Sequence, residues 1–436
     1  LHNKNYLRFR IIFILLLFPF VNFTLAGTDW PEFRGPLGNG YVSAEGDVRP
    51  LGLPLKWGEG ENIKWKTEIH DAGWSTPVVM GGQLWLTTST TNGYDFYAMC
   101  VDAETGKILF NEQLFHCDKP EPLGQNVNCY ASPSPVIENG RVYISFGSYG
   151  TACLDTSTFK TIWERTDISC RHYRGPGSSP ILFEDLLILT MDGADLQYLT
   201  ALDKKTGKTV WKTDRSVKWD DLGADGKPKI EGDYRKAFST PFIVDVKGKK
   251  QLICPGSKAA YSYDPCTGKE LWICTELADY SVAARPVYGN GMVYVMTGQG
   301  KAGIKAIRID GQGEVSGTHV AWKVERGGPK LPSPLLIDGF LYFTSADGFA
   351  TCLDASTGAL VWKERLGGTY AASPVYGDGR MYFFNQQGAS TVLKPGRTYE
   401  VLATNRLDVG CMASPAVSGK ALFVRTKTHL YRIEEK

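Results

Sequence analysis

Short apolar stretches alternate with polar turns along most of this chain, and one arrangement of them recurs eight times. Each unit opens on a residue followed by Pro and then an apolar strand. The openers are Thr76-Pro77, Ser134-Pro135, Ser179-Pro180, Thr240-Pro241, Arg285-Pro286, Ser333-Pro334, Ser373-Pro374 and Ser414-Pro415. A hairpin follows, with its turn at Gly81-Gly82, Asn139-Gly140, Asn290-Gly291, Asp338-Gly339, Asp378-Gly379 or Ser418-Gly419. A third strand ends on Asp, a Thr-Gly turn reverses the chain, and a fourth strand carries an aromatic residue. The clearest copies run Asp203, Thr206-Gly207, Trp211; Asp264, Thr267-Gly268, Trp272; and Asp354, Thr357-Gly358, Trp362. Gly suits the turn because the backbone there needs positive φ, which side chains with a Cβ resist.

A repeat of about 40–50 residues with four strands each predicts a closed or stacked array. The fourth-strand position reads Trp65, Phe110, Trp163, Trp211, Trp272, Trp322, Trp362 and Leu402. Trp65 precedes the first opener, and the last unit ends at Ile433 without a fourth strand of its own. The offset predicts an all-β, eight-bladed β-propeller with four-stranded blades. An N-terminal strand around Ile63–Trp65 completes the C-terminal blade, so no strand edge is left open to aggregation. Residues 57–436 then form the propeller and 27–56 an N-terminal arm.

Departures from the pattern predict less regular joints. Asp155 is followed by Thr158-Phe159, without the Gly; Asp310 lies 12 residues from Trp322, where the regular spacing is 8; Leu402 replaces the aromatic. The link from a fourth strand to the next Pro is 12 residues at its shortest, 25 from Phe110 to Pro135 and 30 from Trp211 to Pro241. The long connections at 111–131 and 212–238 therefore fall on one face of the array, where binding is expected.

Composition adds compartment more than chemistry. Lys4, Arg8 and Arg10 precede an apolar run from Ile11 to Val21, and Thr24-Leu25-Ala26 supplies small residues for cleavage. Residues 1–26 read as a secretory signal, and the protein as periplasmic or otherwise exported. The run is short for a membrane span, so no stable anchor is expected after cleavage. Formal charge is +2, and loss of those three cations leaves the chain near neutral, which gives no case for nucleic acid. Of ten cysteines, Cys100, Cys153 and Cys352 occupy the position of Ala201 and read as small buried packers. Cys117 and Cys129 flank one insertion and are a possible disulfide in an oxidising compartment. No CxxC and no Cys/His grouping has metal spacing.

The Asp-x-x-Thr-Gly-x-x-x-Trp motif with its Ser-Pro opener resembles the pyrroloquinoline-quinone-like (PQQ-like) β-propeller repeat family, from about Trp57 to Ile433. Asp29-Trp30-Pro31-Glu32-Phe33-Arg34-Gly35-Pro36 and Asn62–Trp65 are similar to segments of an exported subgroup frequent in planctomycetes. The resemblance implies that Trp65, Trp163, Trp211, Trp272, Trp322 and Trp362 dock on Thr-Gly turns of neighbouring blades, at glycines such as Gly106, Gly207, Gly268 and Gly358. The family includes quinoprotein alcohol dehydrogenases and a non-enzymatic propeller lipoprotein of outer-membrane-protein assembly. The former carry two adjacent Cys, Glu and Asn ligands for Ca²⁺ and an Asp base, none of which is assignable here.

Two functional classes follow. The first is a periplasmic binding or assembly scaffold for a protein partner or a small anionic or saccharide ligand, non-catalytic and monomeric. The second is a PQQ-dependent dehydrogenase of alcohols or sugars. The candidate ligand residues lie in the interblade connections. They are the cations Arg171, His172, Arg174, Arg235, Lys236, Arg285, Arg326 and Lys330, with Trp74, Tyr130, Tyr173, Phe238, Tyr280 and Tyr370 beside them. If the cations converge, they make an anion-binding funnel. Asp220-Asp221 with Asp225 lacks the ligand alternation of a Ca²⁺ loop, and His70-Asp71 reads as a loop pair.

Overall fold

The computed structural model describes residues 29–43, 49–124, 127–275 and 280–435. The expected signal segment, 1–26, lies outside them. Eight sheets stand in a ring, each with four antiparallel strands and each led by a three- to five-residue strand directly after the opening Pro. Blades 1 to 8 begin at Val78, Val136, Ile181, Phe242, Val287, Leu335, Val375 and Ala416. In blade 8 the strand Ile63–Glu68 pairs antiparallel with His429–Ile433, Thr67 facing Leu430, so the chain's two ends share one sheet.

The opening dipeptides do more than start strands. The Thr76 N–H donates to Ser134 Oγ at 2.9 Å, Ser134 N–H to Ser179 Oγ at 2.9 Å, and Ser179 N–H to Thr240 Oγ1 at 3.0 Å. On the other arc, Arg285, Ser333 and Ser373 donate their N–H groups to Ser333, Ser373 and Ser414 at 2.9 Å. Each of these backbone donors sits where the chain enters the innermost strand and has no ladder partner, so a hydroxyl of the next blade satisfies it.

The blade joints follow the Trp and turn pairing at five positions. Trp65, Trp163, Trp211 and Trp322 send their indole N–H to Ala103, Lys204, Pro265 and Ala355 carbonyls at 3.0–3.2 Å. Trp362 reaches Gly396 O. A Cβ built on Gly207 or Gly358 would lie 2.6–2.7 Å from the facing ring. Trp272 departs from the expectation. Its N–H bonds Gln251 Oε1 within its own blade at 3.1 Å. The next blade has no Thr-Gly turn there; instead Gly313–Glu314 comes across as a parallel fifth strand, Gly313 opposite Trp272. The joint without Gly also has its own solution: Phe159 takes φ of 60° and stacks on Phe110, ring centroids 5.4 Å apart.

All ten cysteines are free. The Cys117–Cys129 disulfide does not form: Cys129 is buried beside Ser132, its sulfur 3.3 Å from Oγ, while Cys117 packs at the edge of the blade 1–2 core.

Candidate functional site

The arm is bound along the hairpin side of the ring. Trp30 exchanges both backbone hydrogen bonds with Val79 of blade 1, Pro31 O accepts from Ile137 of blade 2, and Gly40 and Val42 pair with Tyr376 of blade 7. Between them the arm crosses to the far side. Glu32 meets Arg285 at 2.9 Å, and buried Arg34 donates to the Ser333 and Pro334 carbonyls. Burial first, then the nearby Arg285 charge, pull the Arg34 guanidinium down to about 9. Burial raises the Glu32 carboxyl despite Arg285.

Phe33, at the middle of this crossing, lines one end of an axial cavity of about 350 Å³. The other walls come from the interblade connections and the opener ring. The two long insertions contribute Leu123, Asn128, Asp233 and Phe238, and the ring contributes hydroxyls from six of its eight positions. The channel is thus lined by the arm at one end and by the insertions at the other.

The predicted residues divide on inspection. Trp74, Arg174, Phe238 and Tyr280 line the cavity. Tyr130 is buried in the blade 1–2 core, its hydroxyl on Glu121 O, and Tyr370 is buried in the blade 6–7 core. Arg285 is not on the insertion face at all; it clamps the arm, donating also to Phe33 O and Pro241 O. Arg326 is exposed and Lys330 half-buried, and neither lines the cavity.

The anion funnel is largely neutralised. Arg171 bridges Glu121 and Glu231 at 2.9 and 2.7 Å. Arg174 holds Asp233 through two bonds of 2.8 and 3.1 Å, with Tyr173 under its guanidinium. Arg235 takes Asp221 at 2.6 Å and lies over Trp219. The Arg171 and Arg174 pairs join the two insertions to the loop at 171–174, and the Arg235–Asp221 pair ties the second insertion to itself. Asp220 is held by Lys258, and among the described residues no group of three or more His, Cys, Asp or Glu could hold a metal. His70 spans Asp71 and Asn111.

His172 and Lys236 form a buried pair beneath the cavity wall. Lys236 Nζ donates to His172 Nδ1 at 2.9 Å and to Asp192 O at 3.0 Å. Burial, then the lysine's charge, hold the imidazole well below 6.5, and burial lowers the lysine too. The neutral imidazole then carries its proton on Nε2, 3.7 Å from the Cys170 sulfur, whose thiol burial has pushed up to about 12. Arg215 and Asp192 form a two-bond pair alongside, 2–3% exposed. Sequence reasoning placed none of Asp192, Arg215, Asp221 or Asp233 in this network. The ring hydroxyls were visible as Ser-Pro openers and were read only as strand starts.

The fold has known relatives. The BamB structure from Moraxella catarrhalis superposes with a TM-score of 0.57 at 11% identity, covering 85% of this chain and 99% of that one. A europium-containing methanol dehydrogenase gives 0.61 at 14%, covering 91% and 89%. The computationally designed Ika8 protein gives 0.58 at 10%, covering 85% and 99%. At these identities the likeness is one of fold. No curated protein sequence matches the chain. Among the described residues no helix is long and apolar enough to cross a membrane. The family model described as outer membrane protein assembly factor BamB matches residues 127–213 and 216–436, so the chain belongs to that family of PQQ-like β-propellers.

Proposed function

We propose that this protein is an exported, periplasmic binding or assembly scaffold that takes a ligand or partner protein on its insertion-bearing face. The observation that carries the reading is the axial cavity, lined at one end by the arm and flanked by the two insertions at the other. A concave site with preformed walls on a rigid ring is what a binding module needs. The ion pairs among Arg171, Arg174, Arg235 and their acids hold that face in one shape. The match to the assembly-factor family agrees with it.

The alternative, PQQ-dependent oxidation of alcohols or sugars, has the fold but not the donor set. Pyrroloquinoline quinone carries three carboxylates and works with a bound cation. Among the described residues the cavity lining holds one cation, Arg174, and one carboxylate, Asp233, and each is engaged by the other. No two adjacent cysteines exist in the chain. The residues present therefore do not fit the quinone.

Purified protein mixed with the quinone and Ca²⁺ or a lanthanide is expected to show no quinone absorbance and no dye reduction with alcohols or aldoses. Spectral uptake with turnover would establish the enzyme reading. Crosslinking on exported protein should trap partners at residues of the 111–131 and 212–238 connections. Trapping confined to the hairpin side would place the binding face wrongly.

A further inference from the structure

The chemistry of the cavity wall narrows the ligand class. This step rests on the reading of the insertion face as the binding face. Three features decide it. The first is the ring of hydroxyls around the axis. Ser134, Ser179, Thr240, Ser373 and Ser414 line the cavity, each at most 7% exposed. Each oxygen accepts a backbone N–H from the opener of the preceding blade. A hydroxyl has one proton to give and two lone pairs. With one lone pair engaged, each oxygen keeps its proton and a second lone pair for a partner on the axis.

The second feature is charge. Among the described residues, Arg174 and Asp233 are the only charged side chains in the lining, and they neutralise each other. An anion would meet no unengaged cation, and a metal cation no unengaged carboxylate. The third is the flat apolar surface of Trp74, Phe238, Tyr280 and Phe33.

A ligand that suits all three is uncharged, carries several oxygens able both to donate and to accept, and has a flat C–H face for an aromatic ring. We propose that the axial cavity is a binding site for a neutral mono- or disaccharide, seated on the hydroxyl ring and stacked against Trp74. At about 350 Å³ the space falls in the range of small-molecule sites, roughly 300–1,000 Å³.

Isothermal titration of the full chain with glucose and maltose tests this, with glucuronate as the charged analogue and tetra-alanine as a peptide. Two variants report the site. Trp74→Leu removes the stacking face. Ser179→Thr keeps the hydroxyl that accepts the Ser134 N–H and adds a methyl to the wall; Thr already stands at ring positions 76 and 240. Thermal melting checks that each variant is folded. Saturable binding of a neutral sugar is expected, weakened about tenfold in both variants, with glucuronate no tighter than glucose. The inference is overturned if neither sugar binds, if glucuronate binds more tightly, or if both folded variants bind as the parent does. If the peptide binds instead and the variants weaken it, the saccharide inference fails while the scaffold reading stands. Quinone uptake with dye reduction would remove both.

Discussion

A single turn residue decides how each blade meets the next. Where the turn has Gly, φ is positive without strain and a Trp ring lies flat against the missing side chain, as Trp163 does on Gly207. Gly207→Ala should cost about 2–4 kcal/mol, from backbone strain and a Cβ driven into the indole, read as a lowered melting midpoint. The blade 1–2 joint reverses both partners. Phe159 replaces Gly at φ of 60°, and Phe110 replaces Trp, the two rings stacking beside Trp85. Phe159→Gly and Phe110→Trp should each destabilise the protein. Combined they rebuild the regular joint and should recover about 1–3 kcal/mol relative to their sum in a double-mutant cycle. Additivity would show that the joints are not interchangeable. The buried His172 gives a pH effect. Its folded pKa lies below the unfolded 6.5, so below that pH the unfolded chain takes up a proton the folded one refuses. Stability present above pH 6.5 is then lost toward the folded pKa, at about 1.4 kcal/mol per pH unit. His172→Asn should flatten the melting curve against pH between neutral and pH 5; an unchanged slope would assign the acid sensitivity elsewhere.

At the level of strands, six of the seven opening Ser or Thr residues do two things at once: they start the inner strand and cap the entry of the neighbouring blade. Ser134→Ala leaves the buried Thr76 N–H without an acceptor and should cost about 1–3 kcal/mol, whereas Ser134→Thr should be close to neutral. Equal melting for the two would mean that the ring bonds contribute nothing. Strand number, blade number and ring closure were legible in the sequence because each has a local signature: Pro at entry, Gly at the turn, an aromatic at the outer strand. The insertions were legible only as lengths. Arg171 finds its acids 50 and 60 residues away, and Arg174 finds Asp233 at 59. No spacing rule links positions so far apart, so the cations read as a free basic cluster although the fold pairs them. The Gly313–Glu314 strand escaped for the same reason: what makes it a strand is the edge of blade 4, not its own two residues.

The molecule as a whole is a ring closed twice, once by the strand Ile63–Glu68 in blade 8 and once by the arm across the hairpin side. The first closure was legible as an offset between two counts. The second was not, because 29–42 has neither strand alternation nor a repeat, and the ring partners of Glu32 and Arg34 lie 253 and 299 residues away. Arg285 marks it in retrospect: seven openers carry Ser or Thr, and the eighth carries a long cation. That cation is 2% exposed and spans the arm and two blades, reaching Glu32, Phe33 O and Pro241 O. Removing one partner of such a pair leaves a charge in a site that cannot hydrate it. Glu32→Ala should therefore lose about 3–5 kcal/mol. Arg285→Ser restores the residue type of the other blades and leaves Glu32, which is 18% exposed, closer to water; its loss should be smaller. With both changes the unpaired charge is gone, and the double variant should melt above Glu32→Ala alone. Limited proteolysis after Trp30 should accelerate in Glu32→Ala and slow again in the double variant if this pair holds the arm against the ring. Equal protection in all three would mean that the backbone pairing to Val79 and Tyr376 holds the arm by itself.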